Sequence, residues 1–182
     1  MRRLVFQEYV TLDGYAAGVG DELDFFETIA PQPDDDNLDL FERVDTLVLG
    51  ARTYRLFVDH WPTATNGAVA PKLNALRKVV ASTTLDSAPW GDWEAAEVVT
   101  DAVAAVGALK QQAGKDIVLW GSITLFHSLL AAGLVDEIQL RVCPVLLGAG
   151  KPVFPARTAL GLRLIEAKPW ATGGVLLRYE PS

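Results

Sequence analysis

Apolar residues in this chain gather in short unbroken runs more often than they alternate with polar ones. Leu4 to Val10, Thr46–Leu49, Arg77–Ser82, Ala96–Thr100, Asp116–Trp120 and Val135–Val142 each read as a strand, most of them buried on both faces. Between them the apolar spacing becomes helical. Leu38, Phe41 and Val44 follow Asp36 or Asn37, either of which can cap a helix through Val44. Further helices are predicted from Ala51 to about Val58, near Ala70–Leu76, from an Asp101 cap to before Gly114, and over Ser122–Ala132 with Gly133 closing it. Thr83 to Trp93 reads as a loop. The end of the chain differs: Leu162–Ile165 and Val175–Tyr179 are separated by Pro169 and Gly173-Gly174 with no helix between them. The pattern predicts an α/β fold of three layers, with a mainly parallel central sheet and an antiparallel C-terminal strand pair.

Two junctions carry the candidate chemistry. In Asp116-Ile117-Val118-Leu119-Trp120-Gly121-Ser122 a buried strand passes into a helix through a turn almost free of side chains. Thr46-Leu47-Val48-Leu49-Gly50 enters Ala51-Arg52-Thr53-Tyr54 in the same way. Such turns leave the first amides of a helix open to an anion. Two of them, carrying Arg, Thr and Ser, point to one bound nucleotide and an enzyme.

Composition narrows the function. At 182 residues, 50% of them hydrophobic, residues 1–182 are expected to form one domain. No apolar run approaches the ~20 residues of a membrane span, and Met1-Arg2-Arg3-Leu4 reads as the start of a strand. The lone Cys143 suits a small buried position in a reducing, cytoplasmic protein. The net charge of −7 is uneven: residues 21–45 hold ten carboxylates against Arg43 alone. That argues against nucleic-acid binding and leaves either a solvated acidic face or the wall of a mouth for a neutral or cationic substrate. Gly-x-Ser-x-Gly and Gly-x-Gly-x-x-Gly are missing, and no Cys/His cluster suggests a metal. Gly148-Ala149-Gly150-Lys151 lacks the upstream Gly of a P-loop and reads as a tight turn ending a strand.

The order of elements resembles the dihydrofolate reductase fold. Its details are most similar to the C-terminal reductase domain of the bifunctional riboflavin-biosynthesis deaminase/reductase and to stand-alone proteins built on it. The resemblance rests on Val10-Thr11-Leu12-Asp13-Gly14-Tyr15, Leu49-Gly50-Ala51-Arg52-Thr53-Tyr54, Val79-Val80-Ala81-Ser82-Thr83, Trp120-Gly121-Ser122-Ile123-Thr124-Leu125 and Gly133-Leu134-Val135-Asp136-Glu137-Ile138. Pro144 and Gly148–Phe154 follow in the expected order.

The resemblance implies NADPH across the carboxyl ends of the strands. By position, Gly121, Ser122, Ile123 and Thr124 would cradle the pyrophosphate, and Leu125 would pack near the nicotinamide-side ribose. Gly50 would admit close approach, with Arg52 and Thr53 meeting the pyrophosphate from the second helix. Ser82 and Thr83 would take the adenosine 2′-phosphate, the Arg77-Lys78 pair adding charge, while Tyr9 and Ala16 flank the nicotinamide. Gly121→Val is expected to abolish cofactor binding and leave the fold largely intact. Two departures matter. Ala51 stands where the family usually has an Arg for the 2′-phosphate, a loss of roughly 1.5–3 kcal/mol that leaves NADH open as cofactor. Trp120 stands where a small residue is usual, either beneath the nicotinamide or as the last core residue of its strand.

For catalysis the resemblance implies one carboxylate after the first loop, with Asp24 the candidate and Glu22 beside it read as a surface acid. Asp13 reads as a turn residue that fixes the Gly14 bend. The leading expectation is an NAD(P)H-dependent reductase of a small heterocyclic or carbonyl/imine substrate. The phosphoribosylamino-uracil reduction of riboflavin synthesis is the activity with most family support, although no basic group for a substrate phosphate is evident. Family members suggest a homodimer. The alternatives are a protein that binds a nucleotide or small ligand in the same cleft without turnover, and a structural dimer subunit with no nucleotide affinity.

Overall fold

Strand β1 (Leu4–Thr11) lies in the middle of the molecule because both its faces are apolar: Leu4, Phe6 and Val10 meet one helical layer and Val5 the other. The computed structural model describes residues 1–30, 34–65 and 67–182. The strands that follow are β2 (Tyr15–Ala17), β3 (Val44–Gly50), β4 (Arg77–Ala81), β5 (Ala88–Trp90), β6 (Trp93–Val99), β7 (Asp116–Trp120), β8 (Glu137–Cys143), β9 (Lys151–Pro152), β10 (Leu162–Pro169) and β11 (Val175–Pro181). Nine of the strands form one sheet in the order β10-β11-β8-β1-β7-β3-β4-β6-β5. Its centre is parallel, with Phe6 opposite Leu119 on one side and Ile138 on the other. The pairs β10–β11, β11–β8 and β5–β6 are antiparallel.

Helices α1 (Asp34–Arg43), α2 (Ala51–Val58) and α3 (Val69–Ala75) cover one face, setting Leu40, Tyr54 and Leu73 on Leu47, Leu49 and Val118. Helices α4 (Ala102–Gln111) and α5 (Ile123–Ala131) cover the other, with Leu109 and Leu129 in the cluster of Leu4 and Ile117. Phe126 of α5 stacks on Phe6, ring centroids 3.6 Å apart, and pins the start of α5 over β1. Asp101 caps α4 by accepting from the Ala104 amide at 3.0 Å. The expected three layers and antiparallel C-terminal pair are present.

Four local features depart from the sequence pattern. Asp36 and Asn37 do not cap α1; they lie inside it and are buried. Asp36 accepts from Lys168 (2.6 Å) and from the Trp170 indole (2.7 Å). Part of the expected loop 83–93 forms β5, whose Trp90 is fully buried and donates to Asn74 at 2.7 Å. Short 3-10 helices occupy Asp24–Ile29 and Trp61–Thr63. The Gly148–Lys151 segment does not end β8; it returns so that β9 pairs with β2. Asp13 ties that return to the first loop, accepting from Thr11 Oγ1 (2.5 Å) and from the amides of Leu147 (3.3 Å) and Gly148 (2.8 Å). These bonds hold the Asp13 carboxyl below its usual range.

Candidate functional site

Strands β1, β3 and β7 end along one rim, where Gly50 and Gly121 leave no side chains in the way. A cleft of about 860 Å³ opens there, a size suited to a small-molecule site of roughly 300–1,000 Å³. Helices α2 and α5 both start on this cleft without a side-chain cap. The intrahelical ladder of α5 begins with Phe126 N donating to Ser122 O at 2.9 Å, so the amides of Ile123, Thr124 and Leu125 have no partner in the helix. The same argument leaves Ala51, Arg52 and Thr53 of α2 with unpaired amides. All six residues line the cleft.

The glycines and Ser122 do a different job from the one their positions suggest. Gly121 and Ser122 both have φ of +62°, which for Ser122 costs roughly 1–2 kcal/mol. Bonds between the two junctions hold this bend. Ser122 Oγ accepts from Gly50 N (2.8 Å) and donates to Trp120 O (3.2 Å), while Ser122 N donates to Thr53 Oγ1 (3.1 Å). Gly121 N donates to Gln7 O at 3.0 Å. The amides of Gly50 and Ser122 are therefore spent on locking α2 to α5 and that of Gly121 on β1, so the free donors begin one residue later. A Cβ on Gly121 would meet Thr53 Cγ2 at 3.1 Å in a left-handed backbone, so Gly121→Val strains the fold as well as the site.

Arg52 is exposed but not unpaired. It pairs with Asp21, whose other oxygen lies 4.0 Å from Lys151 Nζ. Ser82 and Thr83 line the cleft beside Thr84. Ser82 Oγ is already an acceptor for the amides of Thr84 (3.1 Å) and Leu85 (3.0 Å), leaving its proton to give. The Arg77-Lys78 pair lies at the opposite end of β4 and brings no charge to the cleft. Arg77 pairs with Glu97, and buried Lys78 donates to the carbonyls of Asn74 and Leu76, with desolvation lowering its pKa. Tyr9 and Ala16 line the cleft. Asp24 is exposed on its 3-10 turn and Glu22 caps the Gly20 amide at 2.9 Å; neither lines the cleft.

The other half of the cleft is aromatic, built from Tyr9, Phe25, Phe26, Phe57, Trp61 and Trp120. Trp120 is both the last core residue of β7 and part of this wall, with Phe57 edge-on at 5.5 Å. Among the polar side chains of the cleft that the sequence did not single out, Glu8 and Asn37 matter most. Glu8 sits near the end of β1, its Oε1 accepting from Tyr9 N at 2.9 Å and its Oε2 beside Gly121. Burial pushes its carboxyl up to about 8, against the opposing pull of the Tyr9 amide and Lys151. Asn37 reaches the cleft from inside α1. Its identity had suggested a cap, and Glu8 hid within an apolar run; only the positions of the facing elements expose either one. Among the described residues no group of three His, Cys, Asp or Glu side chains could hold a metal. No helix among them is long and apolar enough to cross a membrane.

The chain belongs to the RibD C-terminal domain family, which it matches over residues 2–177. It is 29% identical to YyaP of Bacillus subtilis (strain 168) across 98% of this chain and 95% of that protein. Its fold is shared with a Shewanella sp. PV-4 protein provisionally assigned to riboflavin biosynthesis, at a TM-score of 0.77 and 23% identity, covering 100% of this chain and 99% of that one. Dihydrofolate reductase from Enterococcus faecalis complexed with NADP(H) has the same fold at a TM-score of 0.65 and 14% identity, covering 99% and 96%.

Proposed function

We propose that this protein is an NAD(P)H-dependent reductase of a small, neutral, planar heterocycle or conjugated carbonyl or imine. The observation that carries this reading is the convergence of two uncapped helix starts on a cleft whose other half is aromatic. The free amides of Ala51–Thr53 and Ile123–Leu125 would hold the pyrophosphate, with Arg52 exchanging Asp21 for it. Ser82 and Thr83 would donate hydroxyl protons at the adenosine end, and Ala16 and Tyr9 would border the nicotinamide. A bound reduced nicotinamide supplies hydride. The aromatic wall stacks a flat substrate and keeps water out. Glu8, rather than Asp24, holds the proton at Oε2 and delivers it into the cleft.

A phosphorylated substrate fits less well. Both cleft cations, Arg52 and Lys151, are turned to Asp21. Among the described residues the aromatic half offers no Lys or Arg side chain to a ribosyl phosphate. The same reading has residues 1–182 acting as one domain, in a cytoplasmic homodimer. The test is a titration with NADPH and NADH followed by tryptophan emission, since Trp120 and Trp61 line the cleft. Quenching that saturates, then nucleotide oxidation on adding conjugated carbonyls such as 2-cyclohexenone, is the expected result; no quenching overturns it. Quenching without oxidation across a substrate panel would favour the second reading, a ligand-binding protein, which the closed Arg52–Asp21 pair supports.

A further inference from the structure

Beneath the aromatic half lies a guanidinium with no carboxylate. Arg141 of β8 is fully buried, and no ion pair to it exists among the described residues. Its neighbours are neutral. Nη2 donates to Asn37 Oδ1 at 2.7 Å, Nη1 lies 3.4 Å from the Tyr9 hydroxyl, and the rings of Tyr9 and Trp170 lie 5.4 and 5.6 Å from its centre. The Gln7 side-chain atom facing Arg141 is 2.7 Å from Nε and 3.0 Å from Nη2. Guanidinium can only donate, so that atom is the Gln7 carbonyl oxygen. It stands 2.9 Å from Asn37 Oδ1, an approach tolerable because both oxygens accept from one cation.

This arrangement fixes the orientation of Asn37. With Oδ1 held by Arg141, the NH2 group must point the other way, and Asn37 lines the cleft. Among the described residues its Nδ2 has no acceptor, yet it does not count among the sealed, unsatisfied polar atoms. A donor has been aimed into an aromatic pocket, with a buried positive charge behind it.

We propose that Asn37 is the specificity-determining residue of the substrate half and that Arg141 positions it. Asn37 donates from Nδ2 to a carbonyl oxygen conjugated with the bond to be reduced. It selects such carbonyl compounds over amidines, which present donors of their own. The role in reduction rests on the reductase reading; the selectivity does not. When hydride adds to a conjugated carbonyl, negative charge grows on oxygen, and a donor polarised by Arg141 stabilises that charge more than the starting carbonyl. A buried cation satisfied only by neutral acceptors is well suited to this, because among the described residues no carboxylate pairs with it.

The experiment uses binding rather than turnover, with 2-quinolinone as lactam probe, 2-aminoquinoline as amidine probe and naphthalene as shape control, each titrated by tryptophan quenching. The parent is expected to bind 2-quinolinone about tenfold more tightly than naphthalene, a factor worth about 1.4 kcal/mol. Asn37→Asp keeps the oxygen on Arg141 and turns an acceptor to the cleft, so the preference should reverse to 2-aminoquinoline. Asn37→Leu should erase the preference and keep naphthalene binding, which also reports that the pocket is folded. Arg141→Met, where it folds, should lose most of the preference without adding to the loss from Asn37→Leu. A parent indifferent to the carbonyl, or Asn37→Asp with unchanged selectivity, overturns the proposal. NADPH titration of the same samples separates the two readings: lost nucleotide binding with an intact selectivity switch removes the reductase and leaves Asn37, and the reverse removes Asn37 alone.

Discussion

Glu8 is placed where burial disfavours a carboxylate anion, in the second half of β1 beside Gly121 and near Lys151 of the β2–β9 flap. With its pKa raised to about 8, it carries a proton at neutral pH. The raised value favours the folded state below the ordinary glutamate pKa. That contribution declines as pH rises toward 8, because folding must then hold a proton the unfolded chain has released. A proton donor of this kind predicts a rate that falls above about pH 8. Glu8→Gln should lower turnover by roughly 10²-fold or more and remove the alkaline limb. It should also flatten the decline of stability between the two pKa values, read from urea midpoints across pH. An alkaline limb that survives in Glu8→Gln would assign the proton to another group. Residue chemistry was the least legible part of the sequence. A Glu amid apolar neighbours looks like a surface interruption, and an Asp-Asn pair before a helix looks like a cap. Each acquires its meaning from elements far away in the chain: Glu8 from Gly121, Asp36 from Lys168 and Trp170, Asn37 from Arg141.

Between elements, the loop from β2 to the Asp24–Ile29 turn reaches across the cleft mouth. Gly18 N donates to Glu22 O (2.9 Å), and Asp21, with φ of +69°, turns its carboxylate between Arg52 of α2 and Lys151 of β9. On the proposed reading, Asp21 occupies the place a diphosphate would take on Arg52. Asp21→Asn should free Arg52 and tighten NADPH binding by about fivefold at low salt, with the gain shrinking as salt rises, as befits a partly exposed pair. Titration at two ionic strengths checks this; an unchanged affinity at both would mean that Arg52 does not exchange partners. Long elements were readable from their patterns, since a buried run such as Ile117–Trp120 or the helical spacing of Leu38, Phe41 and Val44 leaves few alternatives. The flap was not. Strands of two and three residues show no period, and the bonds that create this one run from Asp13 to amides more than 130 positions away.

Over the whole molecule, the antiparallel C-terminal pair leaves the sheet with an outer strand of unusual character. Leu162, Leu164 and Ile165 of β10 are 38%, 50% and 38% exposed, and Leu160 just before it is 43% exposed. An apolar sheet edge invites pairing with another chain unless something blunts it. The opposite edge has that protection, since β5 is three residues long and contains Pro89. At β10 the irregularity between Leu164 and Glu166 breaks the register with β11, but Leu162 and Leu164 stay exposed. A second copy of the same edge would cover them, and we propose this edge as the contact if the chain pairs. Replacing both Leu162 and Leu164 by Lys should give a monomer in analytical ultracentrifugation. No cleft-lining residue comes from β10 or β11, so NADPH affinity should be unchanged in that variant. A parent that sediments as a monomer, or a double variant that still sediments as a dimer, would move the contact elsewhere. A variant that dissociates and also loses NADPH would instead mean that the cleft depends on the partner chain.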